Sequence, residues 1–102
     1  MVKTILITGA TDGIGKHLAK KLASEGHHVI LHGRNPQKLE FTLQEVWAVS
    51  LRGRVSSYLA DFSKLDDVYR FVEEIKRDFQ RIDVLFNNAG LYAGKERKAS
   101  AE

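Results

Sequence analysis

Apolar residues recur at helical spacing in three long segments of the chain, and four short apolar runs flank and separate these segments. The short runs predict β-strands at residues 2–8, 28–32, 55–59 and 82–86. The long segments predict helices over residues 13–25, after Asn35-Pro36 up to Gly53, and from Ser63 to Phe79. Because parallel neighbours need long crossover connections, the order βαβαβαβ predicts an α/β fold with a parallel sheet.

Residues with strong positional preferences mark the ends of the predicted helices. Gly26 follows the first helix where the C-terminal cap needs a left-handed residue. Asn35 and Pro36 form a cap and first-turn pair for the second helix, and Ser63 with Asp66 indicates a capping box for the third. The third helix carries the strongest apolar stripe, formed by Val68, Phe71, Val72, Ile75 and Phe79.

Composition and charge narrow the class of protein. With 102 residues the chain can form one small domain, which we place at residues 1–90, followed by a polar loop or tail at residues 91–102. The absence of cysteine excludes disulfides and thiolate zinc sites, and His28 and His32 on one strand face lack a third metal ligand nearby. A net charge of +3 without a basic stripe argues against binding to nucleic acid. Short apolar runs and an immediate first strand predict a cytoplasmic protein without a membrane span.

The segment T-G-A-T-D-G-I-G, residues 8–15, joins the first strand to the first helix. The first N–H groups of a helix lack intrahelical partners and lie at the positive end of its dipole, so this turn is a candidate phosphate site. We expect Gly9 to allow the sharp turn, Gly13 to let a pyrophosphate approach the backbone, and Gly15 to let the helix pack closely. Thr11 can add a hydroxyl to the phosphate oxygens.

The turn resembles that of the short-chain dehydrogenase/reductase family, which reads T-G-x-x-x-G-x-G. Two further matches follow in order: Asp61 after the third strand, where the family's aspartate binds the adenine, and N-N-A-G at residues 87–90, which closes the fourth strand beside the cofactor. The resemblance implies a doubly wound Rossmann sheet with strand order 3-2-1-4. It also implies hydride transfer between a nicotinamide and the alcohol or carbonyl group of a small molecule.

These matches define a set of candidate cofactor-binding residues, in which Asn88 also ties strands together in the family. The set comprises Gly9, Thr11, Asp12, Gly13, Ile14, Gly15, Arg34, Asn35, Asp61, Phe62, Asn88, Ala89 and Gly90.

The end of the second strand, H-G-R-N, indicates which nicotinamide cofactor is bound. Residues 27–39 contain no carboxylate to accept hydrogen bonds from the ribose of NAD, and Arg34 stands where the 2′-phosphate of NADP would lie. A guanidinium can grip that phosphate with two charge-assisted hydrogen bonds, and Asn35 could help from the helix cap. The sequence therefore predicts NADP in preference to NAD, the alternative being that Arg34 is a solvated loop residue.

The family's catalytic serine and Tyr-x-x-x-Lys pair have no counterpart in the sequence. Tyr92 and Lys95 are one residue too close and lie where the family has a loop, so no catalytic residue is assigned. The resemblance covers only the first half of the family's fold, which leaves the fourth strand with a free apolar edge and predicts instability or self-association.

Two functions remain open. The chain is either the cofactor-binding half of an NADP-dependent oxidoreductase, inactive alone, or a non-catalytic nucleotide-binding or interaction module built on a truncated fold. The glycine spacing together with N-N-A-G argues against a third possibility, an epimerase or redox-sensing regulator.

Overall fold

Strands and helices alternate along the chain in the predicted order βαβαβαβ in the computed structural model, which describes residues 1–89. The strands are β1 (Thr4–Thr8), β2 (His28–Gly33), β3 (Val55–Leu59) and β4 (Val84–Asn87). The helices are α1 (Gly13–Ser24), α2 (Pro36–Val49) and α3 (Leu65–Asp78). The proposed tail at residues 91–102 and the predicted cofactor residue Gly90 lie outside the described residues, so the division of the chain at residue 90 stays a prediction.

The four strands form one parallel sheet in the order β3-β2-β1-β4, which confirms the doubly wound arrangement expected from the resemblance. In register, Ile5 of β1 pairs with Val29 of β2 on one side and with Val84 of β4 on the other. The chain thus builds outward from β1 to β3 and then crosses back to place β4 beside β1. In open α/β sheets, ligands bind at the carboxyl ends of the strands where the order reverses, which here is between β1 and β4.

The helices cover the two faces of the sheet unequally. On one face, buried residues of α1 and α2 such as Ala19 and Val46 pack against Ile7 and Val29 in a single apolar cluster. On the other face α3 packs alone, and its buried residues contact the strands in a second cluster that contains Leu6, Ile30, Ala60, Phe71 and Ile75. This distribution is the one that right-handed crossovers require for the observed strand order.

The end of α1 and the start of α2 agree with the sequence patterns, whereas α2 ends at Val49, before the predicted exit at Gly53, because the backbone of the C-cap residue Ser50 is extended. Gly26 follows α1 with a φ of 96°, in the left-handed region that favours glycine. Asn35 caps α2, because its side-chain oxygen accepts a hydrogen bond from the backbone N–H of Lys38 at 3.0 Å, and Pro36 occupies the first turn.

The predicted capping box of Ser63 and Asp66 is wrong. Helix α3 begins after Lys64, which is the N-cap residue and makes no side-chain cap hydrogen bond. The Ser63 hydroxyl instead donates to the carboxylate of Asp61 at 2.7 Å, so it faces back toward the end of β3. The carboxylate that reaches back from the first turn is that of Asp67, which accepts from the backbone N–H of Asp61 at 2.8 Å.

The strand boundaries differ slightly from those predicted, and β4 is only partly covered. β1 starts at Thr4 and β4 at Val84. Just before the two strands pair, the Asp83 carboxylate accepts a hydrogen bond from the Thr4 N–H at 2.8 Å. Val72, expected in the α3 stripe, is exposed, and Leu85 of β4 is 59% exposed, while the buried residues of α3 cluster with Leu6 of β1 and Ile30 of β2. Within residues 1–89, no helix combines the length and apolarity that a membrane crossing requires.

The fully buried side chain of Ile7 offers a test of the central strand. We expect Ile7→Val to lower the free energy of unfolding by about 0.5–1.5 kcal/mol, because the methylene is lost from a packed core. The exposed Leu65 supplies the control, and Leu65→Ala should change the same quantity by less than about 0.5 kcal/mol. Urea denaturation followed by circular dichroism measures both values, and equal effects would contradict this assignment of the core.

Candidate functional site

The turn between β1 and α1 needs glycine at two positions for backbone reasons. Gly9 has a φ of 63° and Gly13 a φ of 49°, both in the left-handed region. At Gly9 space is also limiting, since an added Cβ would lie 2.9 Å from the backbone nitrogen of Ala89. The end of β4 therefore packs directly on the turn, and the N-N-A-G segment and the glycine turn form one structural unit as far as Ala89.

Gly15 is needed for a different reason, which is the close approach of α1 to the turn. A Cβ at Gly15 would lie 2.7 Å from the carbonyl oxygen of Gly9 and 2.8 Å from Nδ2 of Asn88. The Asn88 side chain is 1% exposed and donates a hydrogen bond to that same carbonyl at 2.8 Å. Asn88 thus ties β4 to the glycine turn, the structural part of the role that the resemblance implies for it.

The start of α1 leaves backbone donors available. Asp12 is the N-cap residue, yet within residues 1–89 no side chain caps this helix, in contrast with α2. The N–H groups of Gly13, Ile14 and Gly15 therefore lie at the positive end of the helix dipole without a side-chain acceptor, and the Ile14 side chain is 63% exposed. These donors suit an anion such as a phosphate.

Two cationic residues lie at the start of α2, and only one of them was singled out from the sequence. Arg34 follows β2, is exposed, and makes no ion pair with any other residue that the structure describes. Lys38, one helical turn later, pairs with the carboxylate of Asp12 at 3.3 Å. Sequence reasoning missed Lys38, although its spacing of four residues from Arg34 puts both at the start of α2. The Asn35 side-chain oxygen already serves as the cap of α2.

Asp61 lies just beyond the end of β3, and its carboxylate is held in place. One carboxylate oxygen accepts from both the hydroxyl and the backbone N–H of Ser63, at 2.7 and 3.0 Å. These hydrogen bonds are the main reason why the pKa of Asp61 lies below its usual value, and the charges of Lys64 and Arg34 lower it further. Asp61 is therefore an anion fixed in orientation near the cationic Arg34.

The aromatic ring of Phe62 borders the same strand end. It stacks on the imidazole of His32 with a centroid distance of 4.0 Å and an angle of 5° between the rings. His32 is a site residue that sequence reasoning missed, and the only signal was a polar residue at the buried end of an apolar strand. The second histidine of this strand face, His28, lies near Ser56 and packs on Phe79, and residues 1–89 contain no group of three metal-ligating side chains.

The predicted site residues within residues 1–89 thus cluster at the carboxyl ends of the four strands, where the strand order reverses. A sequence profile described as short chain dehydrogenase matches residues 3–102, almost the whole chain. The chain belongs to the short chain dehydrogenase family. The relatives that this chain matches include proteins named as oxidoreductases and as dehydrogenases.

Two curated relatives illustrate how much of a family member the chain represents. It is 39% identical over 94 residues to the uncharacterized oxidoreductase YvrD of Bacillus subtilis, covering 92% of this chain and 34% of that protein. It is 35% identical over 89 residues to retinol dehydrogenase 13 of Homo sapiens, covering 87% of this chain and 27% of that protein. The chain spans between about a quarter and a third of the length of these relatives.

Solved structures of the family show the same fold. A short-chain type dehydrogenase/reductase from Mycobacterium ulcerans superposes with a TM-score of 0.75 at 31% identity, over 84% of this chain and 32% of the other. A metagenomic short-chain oxidoreductase in complex with NADP and an NAD⁺-bound xylitol dehydrogenase both have a TM-score of 0.71 and 34% identity, over 81% of this chain. They cover 36% and 31% of those chains, respectively. Since relatives with either nucleotide are equally similar, overall likeness does not discriminate between the two cofactors.

The buried tie between Asn88 and the glycine turn can be tested by its removal. We expect Asn88→Ala to lower the free energy of unfolding by about 1–3 kcal/mol, because the Gly9 carbonyl loses its buried donor. Ser24→Ala is the matched control, since it removes an exposed side-chain hydrogen bond to the carbonyl of Lys21. Urea denaturation should show a clearly smaller effect for the control. A loss at Ser24 equal to that at Asn88 would contradict the structural role of Asn88.

Proposed function

We propose that this chain binds NADP(H) for an oxidoreductase that transfers hydride between the nicotinamide and an alcohol or carbonyl group of a small molecule. The observation that carries the proposal is the start of α1, whose N–H donors have no side-chain cap and lie where the strand order reverses. The family relationship supplies the class of reaction, and the nicotinamide, when bound, would donate or accept the hydride.

The residues at the strand ends fit such a dinucleotide in distinct roles. The backbone of Gly13, Ile14 and Gly15, with the Thr11 hydroxyl, would bind the pyrophosphate. Asp61, an oriented anion, would accept a hydrogen bond from the adenine amino group, with Phe62 beside it. The predicted cofactor residues Asn88 and Ala89 contact the turn at Gly9. The predicted residue Gly90 lies outside the described residues.

The charges near the end of β2 support NADP over NAD. Arg34 is exposed and has no ion-pair partner within residues 1–89, so its guanidinium is available for two hydrogen bonds to the 2′-phosphate. Lys38 adds a second positive charge at the same helix start, although it is paired with Asp12. The carboxylate that would accept from the ribose of NAD is absent from residues 27–39, which leaves Arg34 as the discriminating group.

We further propose that residues 1–89 bind the cofactor and do not carry the proton transfer. Neither tyrosine in this part of the chain offers its hydroxyl to the site: the Tyr58 hydroxyl donates to Asp78, the last residue of α3, at 2.6 Å, and Tyr69 is on the exposed side of α3. The chain of 102 residues alone should therefore bind nucleotide without reducing carbonyl compounds. The small-molecule substrate and the cytoplasmic location stay predictions.

Replacement of Arg34 tests the cofactor preference. We expect Arg34→Ala to weaken binding of adenosine 2′,5′-bisphosphate by about 10-fold to 100-fold, as loss of a charge-assisted contact predicts, while binding of AMP changes little. Arg34→Lys should lose part of the affinity because lysine keeps the positive charge but cannot donate two parallel hydrogen bonds to the phosphate. Isothermal titration calorimetry gives the dissociation constants.

The control is Arg54→Ala, an exposed arginine before β3 at the other end of the sheet. It should leave the ratio of the two dissociation constants unchanged. If the unmodified chain bound both nucleotides equally, the preference for NADP would be wrong. If it bound neither nucleotide nor NADP(H), the proposed function itself would be wrong.

The exposed edge of the sheet supports a further proposal, that the chain self-associates there. Val84 and Leu85 of β4 are 43% and 59% exposed, and β4 pairs only with β1 among the strands of residues 1–89. We expect Leu85→Lys to weaken association by about tenfold or more, as loss of one buried leucine predicts. Leu51→Lys, also at an exposed leucine, is the control. Sedimentation velocity measures the effect, and a monomeric parent chain would refute self-association.

A further inference from the structure

The imidazole of His32 joins the ends of three strands through its two ring nitrogens. Nδ1 lies 3.0 Å from the backbone nitrogen of Gly9, and Nε2 lies 2.9 Å from the carbonyl oxygen of Ala60. The Gly9 N–H can only donate and the Ala60 carbonyl can only accept. Nδ1 must therefore be the unprotonated acceptor and Nε2 must carry the proton, which assigns the ring to one neutral tautomer.

The backbone of the same residue holds the next position of the turn. The carbonyl of His32 accepts from the N–H of Ala10 at 2.8 Å. The first two N–H groups of the glycine turn are thus both engaged by His32, one by its ring and one by its backbone. The donors that remain for an anion are those at the start of α1, and their direction depends on how the peptide of Gly9 is held.

The ring of His32 has little freedom to move. Its side chain is 4% exposed, and the ring is stacked on Phe62 and meets the edge of Phe71 at a centroid distance of 5.3 Å. A half-turn of the imidazole about its Cβ–Cγ bond would put carbon atoms in the places of both nitrogens and break the hydrogen bonds to Gly9 and Ala60 together. The hydrogen bond that holds the Gly9 N–H therefore depends on the protonation state of this ring.

We propose that neutral His32 is a positioning residue that holds the glycine turn in its dinucleotide-binding geometry, and that its protonation releases the turn. The part that concerns the dinucleotide rests on the proposed function. Protonation places a hydrogen on Nδ1 that points at the Gly9 N–H, so two donors face each other and the hydrogen bond is lost. The hydrogen bond from Nε2 to Ala60 persists, so protonation breaks only the hydrogen bond to Gly9.

The ionisable side chains around the ring come from β3, the loop that follows it and α3. β1 contributes no ionisable side chain. On β3, Tyr58 pairs with His32 in register, and its pKa is raised by burial and by its hydrogen bond to Asp78. Asp61 after β3 and Asp67 of α3 have pKa values below the usual range because they accept hydrogen bonds, so both stay ionised. Arg70 of α3 is paired with Asp67.

The direction of the pH effect follows from the burial of the ring. Burial lowers the pKa of His32 from its usual 6.5, and the hydrogen bond to Ala60 offsets part of that decrease. Since the folded pKa lies below the unfolded one, the contribution of neutral His32 is complete above pH 6.5 and is lost as the pH falls through the folded value. Nucleotide affinity should decrease in that same range.

Two conservative variants separate the two hydrogen bonds. In His32→Asn the side-chain oxygen can take the place of Nδ1 and accept from Gly9. In His32→Gln the side-chain amide nitrogen can take the place of Nε2 and donate to Ala60, but no atom takes the place of Nδ1. Each variant removes one bond, so general destabilisation affects both. We expect His32→Gln to bind NADP⁺ about tenfold or more weakly than the unmodified chain, and His32→Asn to restore most of that affinity.

The pH dependence supplies a readout that a purely structural role would not change. Calorimetric titrations of the full chain with NADP⁺, taken downward from above pH 6.5, should show affinity falling by up to about tenfold per pH unit below the pKa of His32, as linkage to one proton requires. His32→Asn should lack this decrease. The ratio of the two profiles removes the titration of the 2′-phosphate, whose pKa is about 6. His28→Gln, on the same strand face, is the control and should keep the decrease.

Hydrogen exchange at the Gly9 amide, followed by NMR, tests the hold on the turn without any nucleotide. Exchange, corrected for its intrinsic pH dependence, should accelerate in the unmodified chain as His32 is protonated, and in His32→Gln at all pH values. If NADP⁺ fails to bind at any pH, the proposed function is wrong and Gly9 exchange alone decides the role of His32. Equal exchange in the Asn and Gln variants, or the same pH profile of affinity in the unmodified chain and His32→Asn, would overturn the inference.

Discussion

The peptide of Gly9 is held from both sides, and the candidate site depends on this constraint. Its N–H is bound by the His32 ring at the end of β2, and its carbonyl is bound by the Asn88 side chain beyond β4. The two neighbours of β1 in the sheet thus fix the glycine at which the chain leaves β1. Without a Cβ at Gly9 and Gly15 the three segments can approach closely enough for both hydrogen bonds to form.

The charges beside this turn are arranged so that one cation remains unpaired. Asp61 is held by the hydroxyl and N–H of Ser63, and Asp12 is paired with Lys38. Arg34 has no ion-pair partner within residues 1–89, although its charge lowers the pKa of Asp61. The surface between the start of α1 and the start of α2 therefore combines backbone donors with a free guanidinium. Both are groups that bind phosphate oxygens, which is the physical basis for the proposed preference for NADP.

Much of the fold could be predicted because its signals are local. Except at the C-terminal end of α2, the alternating periods placed the elements to within about two residues, and Asn35 and Gly26 mark helix ends through their own backbone preferences. The capping box at Ser63 failed because that side chain had a competing acceptor, Asp61, whose position depends on where β3 ends. Val72 is exposed for a similar reason: a helical stripe defines which side of α3 is apolar, but the strands that it covers depend on the sheet.

The sequence by itself determined the order of the elements, the family and the residues at the strand ends, since periodicity and short motifs are properties of neighbouring residues. Only the tertiary structure decided which of these residues hold one another. The hydrogen bonds of Gly9 join it to residues 23 and 79 positions away, and the one to His32 was not foreseen. A histidine at the end of an apolar strand has no local signature for its partners. They are set by the parallel register, which brings the ends of β1, β2 and β3 to the same edge.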